Sequence, residues 1–68
     1  MVNTLMLKGK IAGAGYTQRS LAAAMHCNKD TLNQKVNGIR PFNTDEIESL
    51  CKILDIASVE DKCKIFLP

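Results

Sequence analysis

The chain has 68 residues, of which 46% are hydrophobic, and carries a formal net charge of +2. This length predicts one small domain over residues 1–68 and excludes a catalytic cleft between two lobes, while the mixed composition favours a folded globule over a disordered chain. No apolar run approaches the ~18 residues that span a bilayer, and the first ten residues lack a signal-peptide pattern. We therefore expect a cytoplasmic protein that does not bind a membrane.

A first helix is predicted to begin after Asn3 or Thr4. Leu7 and Ile11 lie four residues apart and share one face of that helix. Glycine is unfavourable inside helices, and the run Gly13-Ala14-Gly15 is expected to end this one.

Two short helices joined by a tight turn are predicted next. Thr17 caps the first, from Gln18 to Met25, and Asn28 caps the second, from Lys29 to Val36. The residues expected in the core recur at helical spacing: Leu21, Ala22, Met25, Leu32 and Val36. A helix of eight residues is not stable by itself, so the polar outer surface of the second one indicates a binding function.

The rest of the chain predicts a linking loop and two further helices. Ile39 and Phe42 in the loop are expected to fill the core. Asn43 and Glu46 have the spacing of a capping box at the start of the next helix, which carries Ile47, Leu50, Cys51, Ile53 and Leu54. A last short helix opens at Ser58 and carries Ile65, Phe66 and Leu67. The predicted fold is therefore all-α, a compact bundle of four to five short helices.

The charges are divided unevenly along the chain. Residues 1–41 carry six basic residues against Asp30 alone, a formal charge of +5, whereas residues 42–68 carry −3. The first part therefore suits a polyanion such as nucleic acid, although a solvated basic surface without a partner is the alternative.

The reactive residue types do not indicate an enzyme or a metal protein. Cys27, Cys51 and Cys63 are far apart and form no Cys-x-x-Cys pair, and His26 is the single histidine. We therefore predict no metal site, no cofactor, no catalytic residues and no small-molecule substrate.

The helix pair also carries a family pattern. Thr17-Gln18-x-x-Leu21-Ala22, an apolar Met25, Leu32 and the Asn37-Gly38 stop resemble the Cro-like and phage-repressor-like helix-turn-helix regulators, the XRE family. Small phage-encoded members with the pattern Thr-Leu-Asn-x-Lys-x-Asn-Gly, present here at residues 31–38, look most similar. The resemblance extends over about Leu5 to Ile56, with a fourth helix from Thr44 to Ile56.

This resemblance implies a lambda-repressor-like DNA-binding domain with its helix-turn-helix unit at residues 17–38. It implies sequence-specific binding of double-stranded operator DNA and transcriptional regulation, as in a phage or prophage repressor of the Cro type. Two residues depart from the family pattern. His26 stands where glycine is usual, so it is expected to adopt the left-handed backbone, and Lys35 stands at a commonly apolar position.

A helical wheel assigns roles to the second helix of the pair. Gln34 lies opposite the core direction of Leu32 and Val36 at about 100° per residue, on the side that would enter the major groove. The predicted base contacts are Lys29, Asp30, Asn33 and Gln34. The predicted phosphate contacts are Gln18, Arg19, Lys35, Asn37 and Arg40. The alternatives are an Asp30 that only complements the helix dipole and ordinary solvated side chains elsewhere.

One copy offers few phosphate contacts, so a homodimer on two half-sites is expected. The acidic part of the chain and the Ile65-Phe66-Leu67 tail are the predicted dimer surface, unless Phe66 only closes the core. The competing function is a protein-interaction module, such as an antitoxin-like or anti-repressor partner. That module would not need the amides of Asn33 and Gln34 or the basic part of the chain.

Overall fold

The computed structural model describes residues 2–68, which form five helices and no strand. The helices are α1 (Thr4–Gly13), α2 (Gln18–Ala24), α3 (Lys29–Val36), α4 (Thr44–Ile53) and α5 (Val59–Phe66). The Cα radius of gyration is 10.6 Å, close to the ~11 Å of a compact chain of this length. The predicted all-α bundle is confirmed. No helix of residues 2–68 is long and apolar enough to cross a membrane.

Every helix begins at a polar residue whose side chain accepts a hydrogen bond from an amide of the first turn. These residues are Asn3, Thr17, Asn28, Asn43 and Ser58. The capping box predicted at Asn43 is confirmed: Asn43 Oδ1 accepts from the Glu46 amide at 2.8 Å, and Glu46 Oε1 accepts from the Asn43 amide at 2.9 Å. Thr17 and Ser20 form a second box, which sequence inspection missed because serine replaces the usual Glu or Gln.

Four helices end in the same way, with a left-handed residue after the C-cap. These residues and their φ angles are Gly15 at 82°, His26 at 56°, Gly38 at 79° and Asp55 at 55°. The amide of the following residue then donates to a carbonyl five positions earlier, as in the Schellman motif. The donors and acceptors are Tyr16 to Ile11, Cys27 to Ala22, Ile39 to Gln34 and Ile56 to Cys51, at 2.8–3.1 Å.

The Schellman motif at Asp55 corrects the predicted end of the fourth helix. This helix was expected to continue to Ile56, but α4 ends at Ile53. The left-handed turn at Asp55 reverses the chain, and Ile56 returns to the core with only 6% of its surface exposed.

The core receives at least one fully buried side chain from every helix. These are Leu7, Leu21, Leu32, Val36, Leu50 and Ile65, and all but Ile65 were expected on the apolar faces of their helices. Ala22 is buried as well, whereas Met25 is only half-buried against the core. Burial of the apolar surface of five short helices stabilises helices that could not persist alone.

The loop between α3 and α4 differs from the prediction at one residue. Phe42 packs against the core, and its ring meets that of Phe66 edge-on at a centroid distance of 5.8 Å. Ile39, which was also expected to fill the core, is 73% exposed, so that prediction was wrong. Phe42 and Phe66 already close this edge of the core without it.

The C-terminal tail also differs from the prediction. Ile65 and Phe66 are buried, and Leu67 alone of the three is exposed. The assignment of Ile65 to the dimer surface is therefore wrong, and for Phe66 the alternative is confirmed that its side chain closes the core of the single chain.

The beginning of α1 is tied to two other helices. The Asn3 amide donates to the Ile65 carbonyl of α5 at 2.6 Å, and Thr4 Oγ1 donates to the Val36 carbonyl of α3 at 2.8 Å. The second bond satisfies a carbonyl of the last turn of α3, which has no partner within its own helix. The first bond ties the start of α1 to α5, and the second ties it to the end of α3.

Candidate nucleic-acid interface

The turn between α2 and α3 is closed by backbone hydrogen bonds. The Cys27 amide donates to the Ala22 carbonyl at 2.9 Å, and the His26 amide donates to the Ala23 carbonyl at 3.2 Å. His26 adopts the left-handed backbone with φ of 56°, as predicted. Histidine is among the residues that tolerate this region better than most, so the turn forms without glycine.

The rotation of α3 about its axis matches the helical wheel. Leu32 and Val36 are buried, with 1% and 0% of their surfaces exposed. The side turned away from them is polar and exposed, and we call it the outer face of α3: Asp30, Asn33, Gln34 and Asn37. These four side chains line one shallow concavity together with Ile39. The structure thus brings three of the four predicted base contacts together on one surface.

Four other residues predicted to contact DNA lie outside this face. Lys29 is exposed at the first position of α3, and Gln18 is half-buried at the first position of α2. Arg19 and Arg40 are exposed. The structure therefore leaves these side chains accessible, and their contacts with DNA stay predictions.

Asn33 and Asn37 lie one helical turn apart and bond to each other through their side chains, Asn37 Nδ2 donating to Asn33 Oδ1. The bond restricts the rotamers of both amides before any partner binds. Asn33 keeps its own amide donors, and its oxygen keeps a second lone pair, so it can still meet the edge of a base. Preorganised side chains lose less conformational entropy when they bind.

Lys35 forms an ion pair within the protein that the sequence analysis did not predict. Its Nζ donates to Glu46 Oε2 on α4, and 18% and 21% of the two side chains are exposed. Lys35 was predicted to contact a phosphate, and in the structure its ammonium is already paired within the protein. An ammonium has three donors, so Lys35 could bond to a phosphate while it stays bonded to Glu46. Otherwise it would have to leave Glu46 to contact the phosphate.

This environment changes the acidity of Glu46. Its burial raises the pKa, but the hydrogen bonds from the Asn43 amide and from Lys35 lower it, as does the charge of Lys35. The net effect holds the pKa of Glu46 below its ordinary value of 4.5. Glu46 is therefore ionised at neutral pH and joins α3 to α4 as a charged pair.

The geometry of two short helices, a left-handed turn and a polar outer face is typical of a helix-turn-helix. Residues 6–61 match the family model of the Cro/C1-type helix-turn-helix DNA-binding domain. The chain belongs to this family. The match extends from within α1 into α5 and includes both helices of the motif. This Cro/C1-type protein is a DNA-binding transcriptional regulator, and its partner is double-stranded DNA.

Searches of curated proteins and of solved structures return no significant match to this Cro/C1-type chain. The assignment to the Cro/C1-type family therefore rests on the family model.

Proposed function

We propose that the protein is a repressor of the Cro type, from a phage or prophage, that binds operator half-sites as a homodimer through the outer face of α3. The observation that carries this proposal is the orientation of α3, whose apolar side is fully buried and whose polar side is exposed. An α-helix with its side chains is about 10–12 Å across, which fits a major groove about 12 Å wide. The pattern of residues 31–38 supports the phage assignment.

The proposed base contacts are Lys29, Asp30, Asn33 and Gln34. Asn33 and Gln34 suit adenine, because a carboxamide can donate to N7 and accept from N6 of that base. Asp30 can accept from the amino group of cytosine, and Lys29 can donate to guanine or to a phosphate. A single domain over residues 1–68 would carry this function, with the helix-turn-helix unit at residues 17–38.

The proposed phosphate contacts are Gln18, Arg19, Lys35, Asn37 and Arg40. Such contacts position a protein on the duplex without distinguishing sequences. The formal charge of +5 over residues 1–41 supports this assignment, because binding to a polyanion releases its counterions. Since operators lie on genomic DNA, we place the protein at the nucleoid, in the cytoplasm of the bacterium or host cell.

The proposed homodimer requires an exposed apolar surface away from α3. Leu67 is 77% exposed and borders an apolar concavity together with Ile47 and Phe66. Two copies that meet here would present two copies of α3 to half-sites about one helical turn, or 34 Å, apart. The corrected dimer surface is thus centred on Leu67 rather than on the whole tail.

The deciding experiment is a binding titration against duplexes selected from a randomised pool, repeated at several salt concentrations. We expect sequence-specific binding whose logarithm falls with the logarithm of salt by about 0.9 per neutralised phosphate. Gln34→Ala should relax the sequence preference, whereas Arg19→Ala should weaken binding to all duplexes alike.

Two results would count against the proposal. A folded protein that binds no duplex at any salt concentration contradicts operator binding and favours the protein-interaction module. A Gln34→Ala variant with an unchanged sequence preference contradicts the assigned orientation of α3.

A further inference from the structure

One of the four basic residues proposed to contact DNA is also bound by an acidic residue of the protein. The four are Arg19, Lys29, Lys35 and Arg40. Within residues 2–68, Lys35 alone of the four forms an ion pair, and its partner is Glu46 on α4. Arg19, Lys29 and Arg40 are exposed, whereas Lys35 is half-buried. The positive charge of Lys35 therefore differs from the other three, because a carboxylate already compensates it.

Lys35 lies beside the outer face of α3 rather than on it. It is about 100° from Gln34 around the helix axis, on the side where Glu46 approaches from the first turn of α4. The carboxylate of Glu46 is also held at its other oxygen, because Oε1 accepts from the Asn43 amide at 2.9 Å. The ion pair thus fixes the charge of Lys35 next to the surface proposed to meet DNA.

Stability alone does not explain a charged pair between these two helices. Only 18% and 21% of the two side chains are exposed, so both ions have lost much of their hydration, and this cost offsets much of their attraction. Replacing such a pair by apolar side chains of similar size is often neutral or stabilising. An apolar pair, however, would not alter the charge that the protein presents to a phosphate, and Lys35 with Glu46 does.

We propose that Glu46 limits the affinity of the protein for DNA by retaining the ammonium of Lys35 within the fold. This inference rests on the proposed function, and it adds an acidic residue that acts against binding. Electrostatic affinity for a duplex comes from the counterions released when basic side chains neutralise phosphates. Lys35 can still bond a phosphate with its remaining donors, but it is neutralised before DNA arrives and releases few counterions. Glu46 acts through Lys35 and is a positioning residue that needs no contact with DNA.

The test measures how salt affects the binding of Glu46→Gln and of the wild type to a random-sequence duplex and to the selected operator. Glu46→Gln keeps an oxygen for the cap and releases Lys35. We expect its salt slope to be steeper by about 0.9 on both duplexes, so that its affinity relative to the wild type rises about eightfold for each tenfold dilution of salt. Circular dichroism under the same conditions verifies that the variant is folded.

Two further variants assign the effect to Lys35. Glu48→Gln removes the same charge at an exposed position of α4 and should change the slope much less. The double variant Lys35→Gln/Glu46→Gln should return to the wild-type slope, because the ammonium that Glu46 retains is no longer present.

Three results would overturn the inference while leaving the proposed function intact. One is an equal salt slope for Glu46→Gln and the wild type with equal affinity. Another is an equal increase in slope for Glu46→Gln and Glu48→Gln, which would reflect net charge alone. The third is weaker binding by a folded Glu46→Gln at an unchanged slope, which would show that the ion pair orients α3 for binding. If the wild-type protein binds no duplex at any salt concentration, the proposed function itself fails.

Discussion

Lys35 and Glu46 join the last turn of α3 to the first turn of α4 through one carboxylate. Glu46 Oε2 accepts a hydrogen bond from Lys35 Nζ, while Oε1 accepts from the Asn43 amide at the start of α4. The same side chain thus completes a helix cap and an ion pair between helices.

The first prediction concerns stability and pH. Folding lowers the pKa of Glu46, so its ionised carboxylate stabilises the folded protein. This stabilisation is fully present above the pKa in the unfolded chain, near 4.5, and is lost as the pH falls through the lower pKa in the folded protein. Glu46→Gln keeps an oxygen for the cap and loses the ion pair, so we expect unfolding at pH 7 to require about 1 kcal/mol less. Urea titrations of both proteins between pH 3 and about 7 should show the difference shrinking in acid.

Glu48→Gln is the matched control, because it removes the same charge at an exposed position of α4. If the wild type remains more stable than Glu46→Gln by the same amount at the lowest pH, the ion pair is not the source of the difference.

The second prediction concerns the contribution of Lys35 to DNA affinity. Its ammonium is already neutralised by Glu46, so few counterions are released when it meets a phosphate. Lys35→Gln should therefore reduce affinity less than Arg40→Gln, and only Arg40→Gln should lower the salt slope by about 0.9. Fluorescence anisotropy at several salt concentrations measures both quantities. Equal losses would mean that Lys35 leaves Glu46 when DNA binds.

The third prediction concerns the turn between α2 and α3. His26 adopts the left-handed backbone conformation, which is unfavourable for every residue except glycine because of the Cβ atom. The left-handed backbone costs a residue with a Cβ about 1–2 kcal/mol, whereas glycine avoids this strain but loses about 0.5–1 kcal/mol more chain entropy on folding. His26→Gly should therefore raise the free energy of unfolding by roughly 0.5–1 kcal/mol. His26→Ala should lower it. The midpoints of urea unfolding measure these shifts, and a destabilised glycine variant would show that the imidazole itself makes a favourable contact.

The fourth prediction concerns the dimer. Leu67→Ser should weaken self-association without lowering the stability of the monomer, because the side chain is 77% exposed. Sedimentation equilibrium over a range of concentrations measures the dissociation constant. Val59→Ser, at a residue exposed to a similar degree, is the control and should leave association unchanged. If both variants associate like the wild type, the dimer surface lies elsewhere.

Local chemistry allowed much of this fold to be predicted. Asn28 and Asn43 cap their helices as expected because capping depends on residues within one turn. The buried pair of Leu32 and Val36 follows from helical spacing alone, and so does the exposure of Gln34. The family pattern in residues 17–38 agrees with the matched family.

The differences arise where a residue depends on distant parts of the chain. The partner of Lys35 lies eleven positions away on another helix, and no local rule connects the two. Ile39 was expected in the core and Ile65 at the dimer surface, but which of these apolar side chains is buried depends on how α5 and the loop after α3 pack against the other helices. The contacts of individual side chains with bases remain predictions, since they depend on the docked geometry.

The bonds at the start of α1 have a consequence for the order in which the protein can fold during synthesis. Thr4 reaches the Val36 carbonyl, and Asn3 reaches the carbonyl of Ile65. Thr4 therefore lacks its acceptor until Val36 has been synthesised, and Asn3 lacks its acceptor until Ile65 has been synthesised. A nascent chain that stops before α5 would carry the residues proposed to contact DNA without the bond from Asn3 to Ile65 and without the buried side chains of Ile65 and Phe66, which complete the core beneath them.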